Sequence, residues 1–479
     1  MFNIIYNKLF ESANKKSVKA GLIGTGHYGT AVLTQSIDNP YLKMPVIVDK
    51  NIEAAKTALS KAGINEEQIE LCSDNNQILN ALEKDKYIIV EDAELIMDTP
   101  LDVIIEGTGS PEAGARNAYN SIKHGKHVAM INKETDSVVG PILNYLAKKE
   151  GVVYTPVDGD QHGLLIGMIN WAKTIGLKII AAGKAINIEV LLNENKKNIT
   201  LKADGLGLKE SIEFPLDKKN SNYFNIINQD NLEYLNKRKE IFNHVPTVQP
   251  YDLCEMTIVS NSTGLIPDKE DLHRPVVKIK EIPEILCSNN DTGILSSEGV
   301  VDIVTTLRRP DEPGLGGGVF IVVTCDNDYS REILVTKGLI SNTTESAALI
   351  FRPYHLCGVE TSTSILSAGL LGLSTGSEKV EHNSDMIRVA KEDISAGEII
   401  GDDHDKRFEA SIIPAIKEIK EDVPVPAHML NGLTLKEDAK AGDVITLNMI
   451  KEPEGSFLWN LRKQQEKIFI INKNIKSKR

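Results

Sequence analysis

Val18-Lys19-Ala20-Gly21-Leu22-Ile23-Gly24-Thr25-Gly26-His27-Tyr28-Gly29 is the stretch whose reading decides the fold. Val18–Ile23 reads as a buried strand, and Ala31, Val32 and Ile37 beyond it as the apolar face of a helix. Between strand and helix, Gly24, Gly26 and Gly29 have the spacing GxGxxG. The first glycine permits a tight turn, the second lets the backbone approach a pyrophosphate, and the third allows close helix–sheet packing. The helix N-terminus then faces the anion. Asp49 ends a second apolar run, Val46–Val48, about 25 residues on, where a carboxylate can hold ribose hydroxyls. Gly24, Thr25, Gly26, His27, Tyr28, Gly29 and Asp49 are therefore candidates for binding NAD or NADP. Asp49 disfavours a 2′-phosphate and Lys50 beside it can pair with one, so both cofactors stay open.

Outward from this turn the alternation continues. Residues 1–16 read as an amphipathic lead-in helix, and Ile52–Ala62 as a helix stopped by Gly63. Asp102–Glu106 reads as a buried parallel strand. Ser110 can cap the next helix, Pro111 sits where a missing N–H costs nothing, and Gly125 can end it. His127–Ile131 and Val152–Val157 are further strands, with Leu164–Ile175 a helix. The pattern predicts an α/β fold, with an N-terminal Rossmann doubly wound parallel sheet over residues 1–158. Residues 159–380 are expected to form an α+β catalytic and oligomerisation domain, with a polar helical or loop-rich insertion over 193–250 and strands at Val300–Leu307 and Val319–Thr324. MIRVAKEDISAGEIIGDD (386–403) and LTLKEDAKAGDVITLNMI (433–450) share an order of apolar strand, acidic turn and Ala-Gly-acid step, which predicts a small β-rich module over 381–479.

The 479 residues are 41% hydrophobic and 25% charged, the composition of a globular protein of several domains. A net charge of −13 argues against nucleic acid as a partner. No apolar run reaches the ~18 residues of a membrane span, and the N-terminal stretch lacks a signal-peptide core, so a cytoplasmic location is expected. Five widely spaced cysteines without a CxxC pair read as reduced packing residues.

Chemistry is expected beyond the carboxyl ends of the strands. Gly107, Thr108 and Gly109 follow Asp102–Glu106 and are candidates for the nicotinamide ribose, or simply a turn chosen for its backbone angles. Lys133 follows His127–Ile131, where an ammonium can stabilise and protonate the oxyanion left by hydride addition to a carbonyl. Asp158 and Asp160 can bind a polyol, take a proton or hold a divalent cation, or they form an acidic helix cap. Lys184 can bind phosphate or share acid–base work with Lys133. Arg352, Tyr354 and His355 form a dense polar cluster: Arg352 suits an anion, His355 suits proton transfer, and a packed interface is the plain alternative. Asn261, Thr263 and His273 are weaker candidates. In PGLGGG (313–318) the amides can cradle a phosphate, although a hairpin between two strands is the preferred reading.

GxGxxG followed by DVIIEGTGSPEAG (102–114) and GKHVAMINKE (125–134) resembles the nucleotide-binding half of the homoserine dehydrogenases over about the first third of the chain. That resemblance implies that Lys133 lies at the reaction centre. Beyond it, VYTPVDGDQHGLLIG (153–167), AAGKA (181–185), NSTGLIPD (261–268), DLHRPVV (271–277), PGLGGGVFIVV (313–323) and RPYHLCGVETSTSIL (352–366) resemble the deoxyxylulose-phosphate reductoisomerase-like (DXR-like, or DRL) oxidoreductases, which carry a C-terminal SAF domain. This second resemblance covers nearly the whole chain. It implies NADPH-dependent conversion of 1-deoxy-D-xylulose 5-phosphate to 2-C-methyl-D-erythritol 4-phosphate, a step of isoprenoid biosynthesis. It also implies a homo-oligomer, dimer or tetramer, acting on a small molecule. Homoserine dehydrogenase is the alternative enzyme, and an NAD(P)-binding sensor without catalysis the non-enzymatic one.

Overall fold

Val18–Ile23 (β1) is buried at every position but Lys19, as a strand in the middle of a sheet must be. In the computed structural model it lies between β2 (Leu42–Val48) and β5 (Val103–Glu106), parallel to both. With β3 (Ile69–Leu71), β4 (Tyr87–Val90), β6 (His127–Met130) and β7 (Tyr154–Pro156) these strands make a seven-stranded sheet of order β3-β4-β2-β1-β5-β6-β7. Every pairing in it is parallel. The order reverses between β1 and β5, so a crevice for a ligand opens beyond their carboxyl ends. The structure describes residues 4–193, 198–202, 211–227, 231–242, 250–415 and 422–476.

The helices of this half are α1 (Ile4–Glu11), α2 (His27–Ser36), α3 (Ile52–Lys61), α4 (Asn75–Glu83), α5 (Pro111–Lys123) and α6 (Lys133–Glu150), and α7 (Gln161–Thr174) begins soon after β7. Their ends follow local chemistry. The Ser110 hydroxyl accepts from Ala113 N at 3.4 Å to start α5, and Gly125 takes φ +70° just past its end. Asn132 starts α6 by accepting from Thr135 N at 3.0 Å. The unit β3–α4–β4 was not read from the sequence.

The chain divides into two compact units: Met1–Gly163 with Leu356–Glu409 and Ile416–Arg479, and Leu164–His355 with Ala410–Ala415. Of residues 381–479, expected as a separate module, 381–409 and 416–479 fall in the same unit as the parallel sheet. The physical reason is a shared core. Ala118, Ile122 and Ile142 on the backs of α5 and α6 pack with Leu430, Ile445 and Trp459. Glu112 of α5 also caps the terminal helix Phe457–Lys476, accepting from Phe457 N at 2.8 Å and Leu458 N at 3.0 Å. The two near-repeats pair antiparallel with each other, through Val389–Val444, Ile394–Ala439 and Ile399–Thr434. Ile394 and Ala439, equivalent positions in the two copies, exchange backbone hydrogen bonds of 2.8 and 2.9 Å.

The second unit is built on a mixed ten-stranded sheet. Its strands are β8 (Lys178–Ala185), β9 (Glu189–Asn193), β10 (Asn198–Lys202), β11 (Ile212–Pro215), β12 (Ile266–Pro267), β13 (Val276–Val277), β14 (Val300–Arg308), β15 (Val319–Thr324), β16 (Ile340–Ser341) and β17 (Ala348–Arg352). The described part of 193–250 corrects the helical or loop-rich expectation. Alternation in Asn198–Lys202, with Ile199 and Leu201 buried, makes an antiparallel meander of β9, β10 and β11. Asn231–Ile241 (α8) is helical as expected; residues 194–197, 203–210, 228–230 and 243–249 lie outside the described residues. The hairpin expected at PGLGGG is also corrected. β8 lies between β14 and β15, so the glycine-rich segment is a crossover rather than a hairpin loop.

Candidate functional site

The three glycines of the first turn have separable geometries. Gly24 takes φ +94°, and a Cβ on it would lie 2.5 Å from Gly107 O. A Cβ on Gly29 would lie 2.2 Å from Gly24 O, so α2 could not seat against the turn. A Cβ on Gly26 would meet nothing within 4 Å. That open position, at the N-terminus of α2, is where a pyrophosphate fits against free helical N–H groups. A cavity of about 560 Å³ lies beside it, lined by Gly24, Thr25, Asp49, Lys50, Gly107 and Thr108 among others. The residues present thus fit a dinucleotide.

Asp49 is held in place: Oδ2 accepts from Thr25 N at 2.8 Å and from its hydroxyl, and Oδ1 accepts from Asn51 N at 2.8 Å. His27 is exposed at the start of α2. Tyr28 points elsewhere than the cavity. Its hydroxyl donates to Asp158 O at 3.3 Å and lies 3.0 Å from Thr361 Oγ1. Burial, then the charge of Asp160, pushes that phenol well above its ordinary range. Tyr28 therefore anchors the Asp158–Asp160 loop, which Ser364 also holds by accepting from Asp158 N at 2.8 Å.

On the other side of the crevice, Glu106 ends β5, fully buried. The sequence reading passed over it. Its Oε1 accepts from the Thr108 hydroxyl at 2.7 Å and from Asn117 at 3.4 Å. Burial pushes its carboxyl up, only partly offset by hydrogen bonds from Thr108, Asn132 and Asn117. Asn132 in turn donates to Thr108 Oγ1 at 3.2 Å and to Ser110 O at 3.0 Å. Gly109 takes φ +67° between them. These bonds tie the loop after β5 to the cap of α6, and Lys133 is the first residue of that helix, half-buried. As a cation at a helix N-terminus, Lys133 opposes the macrodipole of α6.

A buried polar group lies near the end of β7 in the same unit. Tyr154 donates to Asp136 Oδ1 at 2.8 Å, and burial pushes the Asp136 carboxyl up against the opposing influence of His162. His162 is fully buried, and neither ring nitrogen has a hydrogen-bond partner among the described residues. Its Nδ1 lies 3.8 Å from Asp160 Oδ2, and Asp160 Oδ1 accepts from Gln161 N at 2.8 Å. Orphaned imidazole nitrogens beside a carboxylate are a donor pair that suits a divalent cation. The sequence signal for His162, a histidine two residues past Asp160, was present and went unread.

In the second unit, Lys184 is completely buried in β8 and ion-paired with Asp252 at 2.7 Å and Glu255 at 2.5 Å. Both acids stand on α9 (Pro250–Thr263), three residues apart on one face, and neither was singled out from sequence. Arg352 lies over the Tyr354 ring at 4.7 Å. His355 Nδ1 lies 2.7 Å from Gly317 O; a carbonyl only accepts, so Nδ1 carries a proton. The glycine-rich segment does cradle an anion, but it is the protein's own. Leu315 N and Gly316 N donate to Glu189 Oε1 at 3.0 and 3.1 Å, and Arg308 pairs with Oε2 at 2.8 Å. Although burial opposes it, Arg308 and these amides hold the Glu189 carboxyl below its usual range. The amides of Leu315 and Gly316, which the sequence offered as a possible phosphate cradle, are thus taken by Glu189. His273 is structural in its bonding, 2.8 Å from Asp268, and Thr263 donates to Val259 O at 2.7 Å within its helix. Asn261 is buried.

Among the described residues no helix is long and apolar enough to cross a membrane. Residues 250–361 match the family model described as oxidoreductase DRL, catalytic domain. The 1-deoxy-D-xylulose 5-phosphate reductoisomerase of Phocaeicola vulgatus is 32% identical over 72 residues, 15% of this chain and 19% of that protein. The reductoisomerase of Pelodictyon phaeoclathratiforme is 32% identical over 89 residues, 19% of this chain and 23% of that protein. The matches thus span about a fifth of the length of these curated relatives. Among solved structures, the Zymomonas mobilis reductoisomerase in complex with NADPH is 15% identical, over 36% of this chain and 46% of that one, with a TM-score of 0.27. The Lactobacillus casei scyllo-inositol dehydrogenase with NAD(H) and scyllo-inositol is 12% identical, over 37% and 46%, with a TM-score of 0.25. At the level of family, then, the match rests on residues 250–361, which are similar to the catalytic domain of the DRL oxidoreductases.

Proposed function

We propose that the protein is an NAD(P)-dependent oxidoreductase that reduces the carbonyl of a small polar substrate. The observation that carries this reading is the open turn at Gly26, which faces a cavity at the switch point of a parallel sheet. When bound, the nicotinamide supplies the hydride. The chain's residues do the rest: the turn at Gly24–Gly29 binds the diphosphate, and Thr108, fixed by Glu106 and Asn132, positions the ribose beside it. Lys133 neutralises the oxyanion and delivers its proton. Asp160 and His162 are the residues of this unit that would hold a divalent cation, which would polarise substrate oxygens.

The finer form of the proposal is a ketose phosphate substrate, with conversion of 1-deoxy-D-xylulose 5-phosphate to 2-C-methyl-D-erythritol 4-phosphate as its specific case. Support comes from the match of 250–361 to a DRL catalytic domain and from the two short reductoisomerase matches. Within the second unit, Lys184 with Asp252 and Glu255, and Arg352, are the groups offered to substrate chemistry. A homo-oligomeric enzyme with a SAF-like C-terminal part belongs to the same proposal. The test is Lys133→Ala assayed with both pyridine nucleotides against ketose phosphates, with homoserine as a control. Turnover should fall by at least about 10²-fold while nucleotide affinity holds. Wild-type turnover in the variant would remove Lys133 from the mechanism.

A further inference from the structure

We infer that the crevice selects NAD(H) over NADP(H), through Asp49 together with the carboxylates Glu91, Asp92 and Glu94. The inference rests on the proposed function and departs from the NADPH dependence that the sequence resemblance implies. Asp49 closes β2 at the point where the ribose of a dinucleotide meets the sheet. Its carboxylate oxygens accept three donors, Thr25 N, the Thr25 hydroxyl and Asn51 N, so the group cannot swing away from an incoming phosphate without breaking them.

The next strand adds to its charge. Val48 pairs with Val90, and Asp49 N donates to Val90 O at 3.0 Å, which sets Glu91 and Asp92 beside Asp49. Glu91, Asp92 and Glu94 all line the same cavity. A 2′-phosphate brings nearly two further negative charges, whereas a 2′-hydroxyl brings a proton to donate. Two cations also line the cavity. Arg116 lies 3.3 Å from Glu112 and over the Phe457 ring, on the far side of the crevice. Lys50 is exposed, as are Glu91, Asp92 and Glu94, so water weakens each of these charges, whereas Asp49 is half-buried and fixed by its three donors. Asp49, half-buried and backed by three exposed carboxylates, therefore outweighs the one exposed lysine.

The test is titration calorimetry of the full chain with NAD⁺ and NADP⁺ at low and high salt. NAD⁺ should bind at least about tenfold more tightly, with the gap narrowing as salt screens the carboxylates. Asp49→Ser combined with Glu91→Gln should close the gap chiefly by tightening NADP⁺ binding, while Lys50→Ala should leave it open. Equal or tighter binding of NADP⁺ by the unaltered protein overturns the inference and leaves the proposed function standing. Failure to bind either nucleotide overturns the proposed function itself. An unchanged ratio in the double variant, or loss of NADP⁺ binding confined to Lys50→Ala, overturns the assignment to these carboxylates.

Discussion

Glu106 accepts the hydroxyl of Thr108 at 2.7 Å from a position with no exposure to solvent. Because burial raises its folded-state pKa above the unfolded value, the folded protein keeps the proton over a range where the unfolded chain has lost it. That contribution to stability is full below the unfolded value of about 4.3 and is lost as pH rises through the folded one. Glu106→Gln keeps an acceptor for Thr108 and removes the titration. Its melting temperature should gain on the wild type as pH rises from 4 to 7, with nucleotide affinity retained. Glu106→Ala should lose nucleotide affinity at every pH. Calorimetric melting and nucleotide titration check both.

Gly26 and Gly29 should fail differently. Gly29→Ala forces a methyl group to within 2.2 Å of Gly24 O and should destabilise the fold by several kcal/mol, on the scale of an overpacked core. Gly26→Ala has space for its methyl group and should melt within about 1 kcal/mol of wild type, yet bind nucleotide at least tenfold more weakly. Urea unfolding paired with nucleotide titration separates the two.

Asp385 meets Arg462 through two bonds of 2.7 and 2.8 Å, and His382 approaches at 2.9 Å, all buried. Burial opposes the charge, but Arg462 and His382 outweigh it and hold the Asp385 carboxyl far below the usual range. Its stabilisation is therefore full above the unfolded value near 3.9 and is lost as pH falls below that. Asp385→Asn leaves Arg462 buried with half its partner set and should cost about 3–5 kcal/mol at pH 7. The difference from wild type should shrink by up to about 1.4 kcal/mol per pH unit between pH 4 and 2. Denaturant midpoints across that range provide the measurement.

Lys184→Met would leave Asp252 and Glu255 buried without their cation, a loss of about 3–5 kcal/mol. Adding Asp252→Asn and Glu255→Gln should restore much of it, since the penalty comes from uncompensated charge rather than from missing contacts. Equilibrium unfolding of the three proteins tests the sum.

The Rossmann half was legible because its signals are local. A turn that needs φ +94° and tolerates no Cβ can only be written with glycine, and Ser110, Pro111 and Gly125 mark one helix at both ends. Glu106 escaped notice because an acid ending an apolar run looks like the run's polar limit; only the sheet's depth makes it a buried acid. The segment Ile69–Val90 hid for a related reason, since β3 has three residues and β4 four, too short to carry a period. Glu189 as the occupant of the glycine cradle could not be read at all, being 126 residues from Leu315. Lys184 itself could be picked out, but not its partners Asp252 and Glu255, which become its neighbours only in the fold.

The core that α5 and α6 share with Leu458, Trp459 and Leu461 has a consequence for the order of events at the ribosome. The parallel sheet can pair its strands as soon as Pro156 has emerged, yet the backs of those two helices are not fully covered until the final helix has been translated. Throughout that interval a nascent chain presents an oily face to water, so a stop codon anywhere before Phe457 should yield a sticky, chaperone-bound fragment instead of a shortened enzyme.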